Sequence, residues 1–309
     1  MKNALRVIAV VVVAAILFGI GYGLGSQKGI TVNLKVEGTG TGATVNTNTT
    51  PVAPSTTQPA PAPSEENTDK PAPSEENTDK PAPSDDKTEK PADEPAASTG
   101  VPSSTDEIVA KYNEVINAAK KTQNATIHKT NNTTIEVTDL SVSFLKGTVN
   151  NILSGLVKPV DETYTLTNGA NENGTTASDI ITPGGRDVAL KAEGVTSATA
   201  TPDGDGYKMT IVLVSEKSTF DGTNTVNPVH HESCLSPLNL ATLDISPAKI
   251  TSADMSYPGA TLNVTVDGQG RVTRYDYTLP MEGTGAGSLG PTIELGLKGE
   301  MVETFDITY

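Results

Sequence analysis

Apolar and polar positions follow three regimes along this 309-residue chain, and each predicts a different physical state. Residues Val7 to Gly25 (VIAVVVVAAILFGIGYGLG) run for 19 positions without a charge. A helix of that length measures about 28 Å, close to the ~30 Å hydrocarbon core of a bilayer. From residue 26 to 102 the apolar pattern vanishes into Pro, Ser, Thr and Glu, too polar to collapse, which predicts a disordered stalk. From residue 103 to 309 periodicity returns, and with it the expectation of one folded domain.

Within that domain, Ser104 followed three residues later by Glu107 is a capping-box signal. Ile108, Val109, Tyr112, Val115, Ile116 and Ala119 then recur at helical spacing, which predicts a helix over Thr105 to Lys121. Alternation over Thr126 to Thr138 predicts a strand interrupted at Asn131 and Asn132. Leu145, Val149, Ile152, Leu153 and Leu156 share one face of a second predicted helix, Val142 to Val157, ended by Pro159.

Strand signals dominate the rest. Val195 to Thr201 and Tyr207 to Val214 flank ProAspGlyAspGly and read as a hairpin. Ile250 to Tyr257, Thr261 to Val266 and Arg271 to Leu279, joined by ProGly and AspGlyGlnGly, read as a meander. Ile293 to Leu297 and Val302 to Tyr309 close the chain. The predicted class is α+β: an N-terminal helix packed on a curved, mainly antiparallel sheet, half-barrel-like, with a β-sandwich as the alternative.

Lys2 and Arg6 precede the apolar run, so the positive-inside rule leaves residues 1–6 as a cytoplasmic stub and exports everything beyond a signal-anchor at 7–25. The alternative is a cleaved signal peptide, with Gly23 and Gly25 at the positions before the cut and a secreted product. No Cys stands directly after the run, so lipidation at a lipobox is not expected. Gly19, Gly21, Gly23 and Gly25 form small-xxx-small patterns, so a homodimer through the membrane helix is a candidate. In the stalk, PAPSEENTDK occurs at 61–70 and 71–80 and returns as PAPSDDKTEK at 81–90. Regular prolines and net negative charge make this a semi-stiff spacer, up to about 155 Å for 50 residues in the polyproline form.

The net charge of -15 divides into +3 over residues 1–50, -7 over 51–100 and -11 over 101–309. An acidic folded part repels phosphate backbones, so no nucleic-acid partner is expected. Aromatic residues are only 4% and Trp is absent, which with abundant Thr, Val and Gly favours strands and turns.

Chemistry-bearing residues concentrate in one run, HisHisGluSerCys. Imidazole and thiolate both ligate zinc, so His230, His231 and Cys234 are the candidate metal ligands, with Glu232 between them. Adjacent histidines of an extended chain point to opposite sides, and no second Cys or HExxH helix exists, so a plain loop is the competing expectation. Asp203 and Asp205 read as a turn, because the calcium-loop glutamate position is Val214. Gly285, Gly287 and Gly290 fit GxGxxG, but Pro291 and an alternating segment follow in place of a helix, so they read as a loop. No cofactor is expected.

The helix IleValAlaLysTyrAsnGluValIleAsnAlaAlaLys, the Thr-rich strands and the late AsnValThrValAspGlyGlnGlyArgValThr hairpin resemble uncharacterised membrane- or lipid-anchored extracytoplasmic proteins of Gram-positive, Firmicutes-type bacteria. The order of helix and sheet is also loosely similar to LolA/LppX-like half-barrels, a resemblance that implies a lipid-cradling concavity. Anchor, spacer and the absence of catalytic motifs together predict a non-enzymatic binding module at the cell surface, whose partner is an extracellular ligand or cell-wall component. The alternative is an extracytoplasmic hydrolase or metal-dependent enzyme using the His230 to Cys234 loop.

Overall fold

The computed structural model describes residues 30–33, 46–49, 100–147, 149–151, 159–235, 249–288 and 292–309. The apolar run at 7–25 and the repeats at 61–90 lie outside the described residues. Two short strands, β1 (Ile30–Asn33) and β2 (Asn46–Thr49), pair antiparallel within the stretch assigned to the stalk. Among the described residues no helix is long and apolar enough to cross a membrane.

The remainder is dominated by one ten-stranded antiparallel sheet. Its strands are β3 (Ala125–Leu140), β4 (Val160–Leu166), β5 (Val195–Asp203), β6 (Gly206–Leu213), β7 (Glu216–Phe220), β8 (Thr225–Val226), β9 (Lys249–Tyr257), β10 (Thr261–Val266), β11 (Val272–Ser288) and β12 (Thr292–Thr308). Helix α1 (Thr105–Ala119) precedes them, and a single helical turn, α2 (Ala177–Ile180), follows β4. The predicted capping box is formed: Ser104 Oγ accepts from Glu107 N at 3.2 Å, and Glu107 Oε2 accepts from Ser104 N at 3.2 Å. The apolar stripe read from the sequence is the buried face of α1.

The registers show how the long strands are made. β9 pairs with residues 282–288 of β11 while β10 pairs with residues 272–278, both antiparallel, so β9 and β10 are successive parts of one strand. The expected meander is therefore corrected: Pro258-Gly259 is a bend and not a reversal. Gly259 has φ +148°, and a Cβ there would sit 2.8 Å from Leu213 O. The ladder closes across the bend, since Leu213 N donates to Ala260 O at 2.8 Å. β6 and β7 likewise continue one another, opposite β10 and β9 respectively.

Three further expectations are corrected. β3 runs unbroken through Asn131 and Asn132, because Asn131 faces the core and is hydrogen-bonded there while Asn132 faces water. Gly285 and Gly287 belong to β11, opposite Leu295 and Ile293, and not to a loop. The second helix is replaced at its start by a 3-10 turn, Ser143–Leu145, followed by helical residues 146–147 and 149–151; residues 152–158 lie outside the described residues. The hairpin β5–β6 and the AspGlyGlnGly hairpin β10–β11 form as read.

One face of the sheet carries the core. Helix α1 packs against β5 and β11, where Tyr112 meets Tyr275 edge-on at 6.2 Å. The segment after α2 is stitched to α1 by two asparagines. Asn113 Nδ2 donates to Leu190 O (2.8 Å) while its Oδ1 accepts from Leu190 N (2.9 Å), and Asn117 does the same with Val188 at 2.9 and 2.7 Å. One helical turn rises about 5.4 Å and two strand residues about 6.6 Å, so residues four apart on a helix can serve alternate residues of an extended chain.

Gly259→Ala is expected to lower unfolding free energy by more than about 1 kcal/mol, because it adds a Cβ in left-handed backbone against a ladder carbonyl. Urea unfolding of the variant and wild type measures this.

Candidate functional site

The His230 to Cys234 run folds as a 3-10 turn, His231–Ser233, anchored by an acidic residue from elsewhere in the chain. Glu216, at the start of β7, accepts backbone N–H groups of Val229 (3.0 Å), His230 (2.9 Å) and His231 (2.9 Å), and its Oε2 lies 2.7 Å from His231 Nδ1. Burial works to raise the Glu216 carboxyl, but the hydrogen bonds from the His231 ring and from the two histidine N–H groups outweigh it and hold the group below its usual range. His231 is fully buried beside the Tyr257 ring, and burial pulls its imidazole below the ordinary value against the pull of Glu216. Among the described residues its Nε2 has no hydrogen-bond partner.

The predicted ligands do not converge. His230 packs against Gly194, where a Cβ would meet the ring at 2.3 Å. Glu232 pairs outward with Arg186 at 3.1 Å. Cys234 is fully buried, with its thiol pushed up by desolvation and by the carboxylates of Glu303 and Glu216. Since the thiolate is the reactive and metal-binding form, this environment works against both roles. Among the described residues no group of three His, Cys, Asp or Glu side chains could hold a metal ion. His128 stands away from the loop, bonded to Asp161 across β3 and β4 at 2.8 Å.

A second polar cluster lies inside the core. Glu303 on β12 is fully buried, and so nearly are Lys129 and Asn131 on β3. Glu303 Oε1 lies 2.9 Å from Lys129 Nζ and accepts from Asn131 Nδ2 at 3.2 Å. Its Oε2 accepts from Tyr277 Oη at 2.8 Å and Thr182 Oγ1 at 2.5 Å. Thr133 Oγ1 donates to Asn131 Oδ1 at 2.8 Å, and the ammonium of Lys129 sits over the Phe305 ring, 5.3 Å from its centroid. Nearby, Lys120 Nζ donates to the carbonyls of Ile181 (2.9 Å) and Pro183, and burial pulls its amine down to about 8. The phase of β3 carried a signal for this cluster: Lys129, Asn131 and Thr133 occupy the same alternate positions as Ala125, Ile127 and Val137.

The opposite face of the sheet is hollow over β7, β9 and the paired ends of β11 and β12. This depression has a volume of about 730 Å³. Two cross-strand rows line it, Lys217, Ser256, Glu282 and Lys298 in one and Thr219, Asp254, Thr284 and Gly296 in the other. Gly296 gives it depth, since a Cβ there would stand 2.7 Å from Thr138 Oγ1. Lys217, Asp254, Glu282, Glu294 and Lys298 are exposed, and none forms an ion pair with another described residue. The described residues of the lining offer hydroxyls and charges to a ligand. The clustered glycines of β11 and β12 were its signal in the sequence, since glycine inside a strand marks a place where something approaches closely.

Two outcomes follow. Removing Glu303 leaves Lys129 charged and unpaired in the core, so Glu303→Ala is expected to cost roughly 3–5 kcal/mol in chemical unfolding. His231 has a folded pKa below its unfolded value of 6.5, so its contribution is complete above that pH and is lost as pH falls. Thermal melting is expected to drop between pH 7.5 and pH 5 more steeply in wild type than in His231→Phe. In comparisons with known proteins, no family model, no curated protein and no solved structure matches this chain.

Proposed function

We propose that this chain is a non-enzymatic binding module held at the outer face of a cytoplasmic membrane, with its folded domain displayed on a stalk. The observation that carries the reading is the hollow of about 730 Å³, lined by hydroxyls and by charged side chains that form no ion pair among the described residues. Unpaired charges on a concave surface keep their hydrogen-bonding capacity for something outside the chain. The ligand is a polar extracellular molecule or cell-wall component. The uncharged run at 7–25 serves as the signal-anchor, and the repeats at 61–90 set the domain's distance from the membrane. The membrane glycines offer a route to a homodimer.

The bends aligned across β6–β7 and β9–β10, with α1 on the core face, support the half-barrel form of the fold. A kinship with anchored extracytoplasmic proteins of Gram-positive bacteria fits the same picture. Against the enzymatic alternative stand the buried, proton-retaining thiol of Cys234 and the commitment of Glu216 to holding the loop.

Co-sedimentation of the purified chain with isolated bacterial cell walls tests the reading. Wild type is expected to pellet with the walls. The double variant Asp254→Lys, Glu294→Lys is expected to bind about tenfold more weakly at unchanged melting temperature, a difference of ~1.4 kcal/mol. Equal recovery of both proteins would remove the hollow as the binding surface.

A further inference from the structure

We propose that Lys129 and Asn131 condense into an intramolecular amide, with Glu303 as the proton-transfer group. The two side chains share one face of β3, two residues apart, and both reach Glu303 Oε1, Lys129 Nζ at 2.9 Å and Asn131 Nδ2 at 3.2 Å. An amine, a primary amide and a carboxyl group are thereby gathered around one oxygen, away from water. The amide is also oriented, because the Thr133 hydroxyl donates to its carbonyl oxygen at 2.8 Å. Tyr277 and Thr182 hold the other carboxylate oxygen, so the shuttle cannot swing away.

The step balances within these groups. The ammonium passes a proton to Glu303 and becomes a neutral amine. The Nζ lone pair attacks Asn131 Cγ, and the Thr133 donor stabilises the charge gathering on Oδ1. Glu303 gives its proton to Nδ2 as the Cγ–Nδ2 bond breaks, and takes one from Nζ. The products are a secondary amide, a protonated Glu303 and free ammonia. A buried ion pair, which is costly to keep in a core, is replaced by neutral groups, and escape of ammonia makes the step irreversible.

Peptide mass spectrometry of the trypsin-digested full chain tests this. The linked protein is expected to resist cleavage after Lys129 and to yield a peptide spanning 122–146 that is lighter than its sequence by one ammonia, stable to mild base. Glu303→Gln and Lys129→Met should restore the full mass. A wild-type digest of full mass, cut after Lys129, overturns the proposal whether or not either variant folds. So does an ammonia loss that persists in Lys129→Met, or a product that mild base converts to an aspartyl or isoaspartyl peptide by adding water, since either marks a succinimide at Asn131.

Discussion

A carboxylate with no access to water has to be answered by the chain itself, and Glu303 sets that condition for the middle of this fold. Its side chain is fully buried, and an unmet charge there would take up a large part of a small domain's margin of stability. Four groups answer it, from β3 (Lys129, Asn131), from β11 (Tyr277) and from the segment after α2 (Thr182). These partners fix more than local geometry. They set the register of β3 against β12, hold the 177–183 segment on the sheet, and place Lys120 where its amine meets the same segment's carbonyls.

Around that fixed centre the sheet divides into two halves. Where α1 lies, the inner face is filled by stacked aromatics, with Tyr275 against Phe305 at 5.6 Å. Beyond the bend at Pro258–Ala260, glycines replace large residues on β11 and β12, and the sheet's outer face becomes concave. The same backbone thus closes one side by packing and opens the other by omission of side chains.

Periodic signals were legible in the sequence because they are local. The capping box, the stripe of α1 and the β5–β6 and β10–β11 hairpins depend on residues within a few positions of each other. The misread features all depend on distant partners. Asn131 looks like a strand breaker until Glu303, 172 residues away, accepts its amide hydrogen. Pro258-Gly259 has the composition of a turn, and only the shared partner β11 makes it a bend. Gly285 and Gly287 read as a loop until β12 pairs with them.

The histidine run makes the sharper case. Sequence proximity of His230, His231, Glu232 and Cys234 implied a shared site, yet their side chains disperse: one packs on Gly194, one binds Glu216, one pairs with Arg186 and one is sealed in the core. The 3-10 turn separates neighbours, because successive side chains leave it about a third of a circle apart, and only residues three apart, such as His231 and Cys234, both buried, fall on one side. Convergent chemistry in a sheet instead comes from alternate residues of neighbouring strands, which share a face at spacings of about 5–7 Å. Lys129, Asn131 and Glu303 meet that condition, as do Asp254 and Thr284 on the other face. In a sheet-built protein, the residues that can act together are therefore those in matching phase on paired strands, and a cluster contiguous in sequence is the arrangement least able to do so.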